Sequence, residues 1–365
     1  MRVALLTTDS FGAGGGIAQY NRDLARALAS MARVDRVEIV SRNGSAMLSP
    51  TDTKIRFDPT APRGSAHWVV GAVKACARKP DLVICGHVNL LPVAGFLCRA
   101  FGLPLVLMTY GVEVWTPPPR LKARALGEVD AVWSISQITA QKMQAWSRLP
   151  ESAFSILPNA IHLEDYGAGP LPGRFRDRHA LHDKRVVLTL GRLASTERYK
   201  GFDEILQIMP ALLKDRPEVV YVIAGGGDDR PRLEAKARDL GVADEVLFAG
   251  FVAEEDKADL FRSADVFAMP GKGEGFGFVF LEALACGTPS IGSAVDGSRE
   301  ALRSGLLGQL VDPAKPDEIR AAILSALDQP RRIPDGLAYF AWPDFCARLE
   351  RAVEALVPRQ QRAAA

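Results

Sequence analysis

Residues 266–287 read Val266-Phe267-Ala268-Met269-Pro270-Gly271-Lys272-Gly273-Glu274-Gly275-Phe276-Gly277-Phe278-Val279-Phe280-Leu281-Glu282-Ala283-Leu284-Ala285-Cys286-Gly287. A short apolar run enters a segment with glycine at every second position, and an apolar helix-forming stretch follows. Residues 289–292 then begin another short run. A continuous apolar run without alternation is what a parallel strand covered on both faces requires. The stretch therefore predicts strand, glycine loop, helix and strand, the unit from which an α/β fold is wound.

The same alternation extends in both directions. Strands are predicted at residues 2–7, 37–40, 82–85, 105–109, 131–135 and 154–157 in the first half. In the second half they are predicted at 186–190, 219–224, 246–249, 266–269 and 289–292. Helical stretches at 17–31, 202–214, 230–240 and 254–263 lie between them. A repeated β-α pattern over 365 residues predicts two doubly wound, Rossmann-like α/β domains. The Gly/Pro cluster Gly167-Ala168-Gly169-Pro170-Leu171-Pro172-Gly173 suits a linker. The expected domains are residues 1–168 and 174–340. Residues 341–365 add a C-terminal helix with Trp342, Phe345, Leu349 and Val353 on one face, and a frayed end from 359.

Charge is divided between the halves. Residues 1–180 carry 21 Lys/Arg against 14 Asp/Glu, whereas residues 181–365 carry 24 against 29. The five cysteines are odd in number and never spaced C-x-x-C, which argues against a disulfide framework or zinc ribbon and suits a reducing compartment. The first residues read as a buried strand and not as a signal peptide. The most lipid-like region, 88–108, is broken by Pro92, Arg99 and Pro104 and reads as a helix and strand within a core.

The first strand runs into Asp9-Ser10-Phe11-Gly12-Ala13-Gly14-Gly15-Gly16 before a helix. Glycines at a strand-to-helix turn allow close backbone approach to a ligand and aim N–H groups at an anion. A dinucleotide fingerprint fails, because the last glycine position holds Ile17 or Gln19, and Ser41-Arg42-Asn43 lacks the acidic residue. In the second half, Gly191-Arg192-Leu193 follows a strand and Tyr199-Lys200-Gly201 precedes a helix. Cations at those places are suited to a diphosphate, since ligands of open α/β sheets lie beyond the strands' carboxyl ends. Glu274 and Glu282 lie eight residues apart, about 12 Å if mostly helical, which matches the span from sugar to ribose in a nucleotide sugar.

With these motifs the chain resembles the family 4 glycosyltransferases, retaining enzymes of the GT-B fold, in which two Rossmann-like domains face a central cleft. The resemblance spans nearly the whole chain: the glycine loop running into Gln19-Tyr20-Asn21, Gly86-His87, Leu157-Pro158-Asn159-Ala160-Ile161, Gly191-Arg192, Lys200-Gly201 and the Glu274–Glu282 segment. It departs at Tyr110-Gly111-Val112-Glu113, where many relatives have His-Gly, and at the glycine-rich Gly225-Gly226-Gly227-Asp228.

The resemblance implies that the second domain binds a nucleotide-sugar donor, the first presents the acceptor, and the last helix crosses back to the first domain. Arg192 and Lys200 would hold the diphosphate, and Glu282 the ribose. Glu274 with the backbone of Gly275, Phe276, Gly277 and Phe278 would meet the sugar and its phosphate. His87 would reach the donor sugar, and Gly14, Gly15 and Gly16 would close over phosphates or acceptor. Gly191 would also belong to the donor-binding residues, and Lys257 would lie near the base. No metal or other cofactor is implied, and no His/Cys cluster or D-x-D is present; Asp228-Asp229 reads as helix N-terminal charge.

The implied reaction is retaining transfer of a hexose from GDP-mannose or a UDP-hexose to a glycan or lipid-linked hydroxyl, with domain closure about 167–173. A bacterial polysaccharide or glycolipid pathway, in the cytoplasm, is expected. The basic first half, with residues 63–79 and Arg120, Lys122 and Arg124, suits an anionic membrane surface; nucleic acid is not indicated. The rival readings are a nucleotide-sugar epimerase, a phosphorylase-like enzyme and a non-catalytic nucleotide-sugar sensor.

Overall fold

A computed structural model describes residues 1–11, 15–43, 52–57, 64–168 and 173–356. Gly12, Ala13 and Gly14 of the glycine loop, most of the 167–173 linker and the end beyond 356 lie outside the described residues.

The chain forms two compact units, Met1–Ala160 with Trp342–Ala365, and Ile161–Ala341. The division falls at residue 160, several residues before the glycine/proline cluster.

In the first unit the strands are β1 (Arg2–Thr7), β2 (Arg36–Ser41), β3 (Ile55–Phe57), β4 (Leu82–Cys85), β5 (Leu105–Thr109), β6 (Ala131–Ser134) and β7 (Phe154–Ile156). They form one sheet in the order β3-β2-β1-β4-β5-β6-β7, with every pairing parallel. All residues of β4, β5 and β6 are buried, which is why these runs show no alternation. Trp68, Leu91, Ala94 and Leu97 pack over one face of the sheet against Leu6, Val83 and Leu107. The helix Trp342–Glu354 buries Phe345, Leu349 and Val353, and Phe345 meets the Tyr20 ring edge-on at 5.8 Å on the helix Gly16–Ser30.

The second unit holds β8 (Arg185–Leu190), β9 (Val219–Ala224), β10 (Val246–Gly250), β11 (Val266–Met269), β12 (Ser290–Ser293) and β13 (Gln309–Val311). Their order is β10-β9-β8-β11-β12-β13, again all parallel. Its core joins Val187, Tyr221 and Ile223 to Ile205, Met209 and Leu212 of the helix Phe202–Asp215.

Eleven of these strands answer predicted runs, with ends shifted by a residue or so. The edge strands β3 and β13 were not predicted, because three residues are too few for a period to register. The helix predicted at 254–263 splits into a tight turn, Glu254–Asp256, and the helix Lys257–Ser263.

Both sheets reverse direction at an equivalent place. After β1 the chain builds outward through β2 and β3, then returns to place β4 on β1's other side; β8 and β11 are related in the same way. The carboxyl ends of such neighbouring strands diverge and leave a crevice, the usual ligand site of an open α/β sheet. The segments leaving β1, β4, β8 and β11 are the glycine loop, Gly86-His87, Gly191-Arg192 and the glycine-rich segment before Phe278.

Candidate active site

In the second unit, β8 ends at Leu190 and hands the chain to Gly191 and Arg192. The neighbouring loop crosses so closely that a Cβ on Gly225, at φ +128°, would lie 1.9 Å from the Gly191 carbonyl oxygen. Leu193 N–H donates to Gly226 O at 2.9 Å, and Asp229 N–H to Leu193 O at 2.8 Å. The glycine-rich stretch 225–227 thus has a physical reason: it fits the backbone beneath residues 191–193. Asp228 accepts from Ser195 N–H at 2.8 Å and Ser195 Oγ–H at 2.6 Å, so it ties this loop together as well as preceding a helix.

Lys200 ends the turn Arg198–Lys200 at the start of the helix Phe202–Asp215. Its Nζ donates to Glu274 Oε2 at 3.2 Å and lies 4.0 Å from Glu197 Oε2. Burial opposes its charge, but Glu274 and Glu197 more than offset that and raise its pKa above the ordinary lysine value. Arg192 is mostly exposed and donates to Glu197 Oε1.

Glu274 is fixed from both ends. Its N–H donates to Asp296 Oδ2 at 2.9 Å, and its carbonyl accepts from Gly297 N–H at 2.8 Å. Asp296 is fully buried and also accepts from Ser298 N–H at 3.0 Å. Burial pushes its carboxyl up to about 6 despite those bonds. Gly277, at φ +92°, begins the helix Phe278–Ala285. Only the second part of the Glu274–Glu282 interval is helical, so the spacing inferred from a mostly helical segment does not hold; the turn at Gly277 makes the first part a loop.

Glu282 lies inside that helix and is fully buried. Oε1 accepts from Tyr166 Oη–H and from Lys257 Nζ, each at 3.2 Å, while Oε2 has no hydrogen-bond partner. Burial raises its pKa above the usual carboxylate range, and Lys257 counters only part of this. Lys257 is anchored to Glu254 as well, at 2.9 Å. A buried carboxylate oxygen left unbonded is costly in a folded core, and a ligand hydroxyl could satisfy it.

The first unit contributes a separate cluster. His87 follows β4, and its Nδ1 accepts from Asn89 N–H at 3.0 Å. Burial, with the nearby Lys122 charge, brings its pKa down to about 4. The imidazole is therefore neutral above that range, with Nδ1 as acceptor and Nε2 carrying the proton. Tyr110 stacks on it at 6.5 Å and donates to Asn21 Oδ1 at 2.9 Å, so the departure at 110–113 supplies a wall for His87. Glu113 accepts from Tyr110 and Gly111 N–H groups at 2.6 and 3.1 Å. Gly15 caps the helix Gly16–Ser30 at φ 103°; Gly14 is outside the described residues.

Lys200 and Glu274 thus meet directly and Glu197 joins Arg192 to Lys200, whereas Glu282 belongs to a second cluster with Lys257 and Tyr166. Sequence reasoning missed Glu197, Tyr166 and Asp296. Asp296-Gly297-Ser298 before a helix carries a capping signal that could have marked Asp296; nothing local marks the other two. Among the described residues no three His, Cys, Asp or Glu side chains converge as a metal-ligating group.

Two doubly wound parallel-sheet units are the architecture of GT-B glycosyltransferases. HepE from Anabaena, solved in complex with UDP and glucose, matches with a TM-score of 0.76 over 98% of this chain and 99% of its own, at 20% identity. Sucrose-phosphate synthase from Thermosynechococcus elongatus matches at 0.74 over 100% of each chain, at 20% identity. Residues 174–337 match the model for glycosyl transferases group 1, and residues 14–165 that for glycosyltransferase family 4. A GDP-mannose-dependent alpha-(1-6)-phosphatidylinositol monomannoside mannosyltransferase of Mycolicibacterium smegmatis is 34% identical over 81% of this chain and 78% of its own. A D-inositol 3-phosphate glycosyltransferase of Geodermatophilus obscurus is 31% identical over 67% of this chain and 57% of its own. The chain belongs to the group 1, family 4 glycosyltransferases.

Proposed function

We propose that this glycosyltransferase moves mannose from GDP-mannose to a hydroxyl of a glycan or lipid-linked acceptor, with retention at the anomeric carbon. The observation that carries a nucleotide-sugar donor is Glu282, whose buried Oε2 has no partner and whose chemistry suits ribose hydroxyls. The choice of GDP-mannose is supported by the GDP-mannose-dependent relative from M. smegmatis.

In this reading Lys200 and Arg192 neutralise the diphosphate as it departs, while Glu274 and the Gly275–Phe278 backbone position the sugar. The bond from C1 to the phosphate oxygen breaks, its electron pair staying on that oxygen. The acceptor oxygen forms the new bond to C1 on the same face, and its proton passes to the departing phosphate oxygen. The neutral His87, with Nε2–H as donor, is chemically suited to a sugar hydroxyl. The two cations supply the charge that a metal would otherwise provide.

An anionic membrane surface is the proposed location of the acceptor. The first unit's segments carry 22 Lys/Arg against 14 Asp/Glu, and the second unit's 23 against 29, a sharper division than the halves. Phe96 and Leu121 are exposed, and Arg99, Arg120 and Arg124 lie on the same two helices, Leu91–Phe101 and Arg120–Ala125. No helix among the described residues is long and apolar enough to cross a membrane. Exposed apolar side chains on helices that also carry cations are suited to the interface of anionic lipid.

The donor assignment is tested by thermal shift with GDP, UDP, ADP and their sugars. GDP-mannose is expected to stabilise the protein most. Stabilisation by a UDP-sugar alone removes the mannose assignment, and no response to any nucleotide removes the donor site.

A further inference from the structure

Glu197 has no part in the donor assignment, yet it occupies the two cations on which that assignment depends. It precedes the turn Arg198–Lys200, and its N–H donates to Ala194 O at 2.8 Å. The side chain is only 16% exposed. One carboxylate oxygen accepts from Arg192, and the other lies 4.0 Å from Lys200 Nζ without a hydrogen bond. A diphosphate brought to Arg192 and Lys200 must therefore meet a carboxylate already there.

The two acidic neighbours of Lys200 differ in how firmly they are held. Glu274 is fixed through its backbone by Asp296 and Gly297, and its Oε1 accepts from Gly275 N–H at 3.1 Å. Glu197 holds its cations by one hydrogen bond and one longer ion pair, from a loop. A diphosphate offers several oxygens and can form more charge-assisted hydrogen bonds to the same groups. Glu197 is thus the carboxylate that yields.

Resting on the donor-site reading above, we infer that Glu197 is an internal competitor of the donor diphosphate. It occupies Arg192 and Lys200, gives way when the nucleotide sugar binds, and returns to those cations as the nucleoside diphosphate leaves. Its effect falls on product release: the product contends with a carboxylate tethered beside its own site, where the local concentration of the competitor is high. Without Glu197 the cations would hold the product longer, and turnover would slow wherever release limits the rate.

The experiment uses the full chain as wild type, Glu197→Gln and Glu197→Asp, with GDP and UDP as probes. Dissociation constants are measured by titration calorimetry at low and high salt, and product inhibition and kcat with the donor that is turned over. Glu197→Gln removes the charge and keeps the shape. It is expected to bind the product nucleoside diphosphate about 3- to 10-fold tighter at low salt, the scale of one or two partly exposed ion pairs. The gain should shrink at high salt, and the product inhibition constant and kcat should both fall. Glu197→Asp keeps the charge and should stay nearer wild type than Glu197→Gln. Equal or weaker binding by Glu197→Gln in a wild type that binds the nucleotide overturns the inference alone. A wild type that binds neither nucleotide overturns the donor site and this inference together.

Discussion

Replacing Glu282 by Gln should weaken nucleotide binding while leaving the fold at least as stable at neutral pH. The carboxylate is wholly buried, with Oε1 held by Tyr166 and Lys257 and Oε2 unbonded. A ribose hydroxyl donating to a charged acceptor is worth about 1.5–3 kcal/mol, or roughly 10- to 100-fold in Kd. Stability should move the other way. Burial raises the folded-state pKa of Glu282 above its unfolded value, so the folded protein favours the protonated form. The stability that this group contributes is present below the unfolded pKa and lost as pH rises through the folded one. The charged side chain is therefore the form that burial disfavours, and a neutral glutamine avoids that cost while Lys257 retains Glu254. Calorimetric titration with GDP and thermal melts at pH 7 read both effects. An unchanged Kd refutes the ribose assignment. A melting temperature lowered by several degrees together with lost binding refutes the claim that the site carries this cost, and makes Glu282 a structural residue.

Three further outcomes follow from the same geometry. Lys200→Ala should lower turnover by about two to three orders of magnitude, the usual scale for losing a preorganised charge at a leaving group, and near-normal rates would remove it from the diphosphate site. His87, held neutral with a folded pKa of about 4, binds fewer protons than it does unfolded. Its contribution to stability should rise with pH from about 4 to about 6.5 and then level, by at most about 3 kcal/mol; melts of His87→Gln that keep the same slope would contradict this. Activity should survive EDTA, and a loss restored by Mg²⁺ would show that Arg192 and Lys200 do not supply the needed charge.

The central strands were legible because both of their faces are covered. Residues 82–85 and 219–224 are apolar throughout and became fully buried β4 and β9. The edge strands β3 and β13 escaped notice because they are short and only partly buried. The positions of Arg192, Lys200 and Glu274 could be read from local motifs at strand ends and helix starts. Their electrostatics could not, because Glu197 contacts Arg192 and Lys200 through a turn whose path no local pattern encodes. Asp296 and Tyr166 reach Glu274 and Glu282 across 22 and 116 residues, and such long-range partners leave no periodic trace.

The proposed chemistry is tested most directly by the anomeric form of the first product made from GDP-mannose labelled at C1. Carbon NMR during early turnover, with GDP release followed in parallel, reads configuration and stoichiometry together. One GDP released per α-configured mannose transferred is the expected result. A β-configured product contradicts retention, and a new sugar nucleotide formed without GDP release contradicts glycosyl transfer itself.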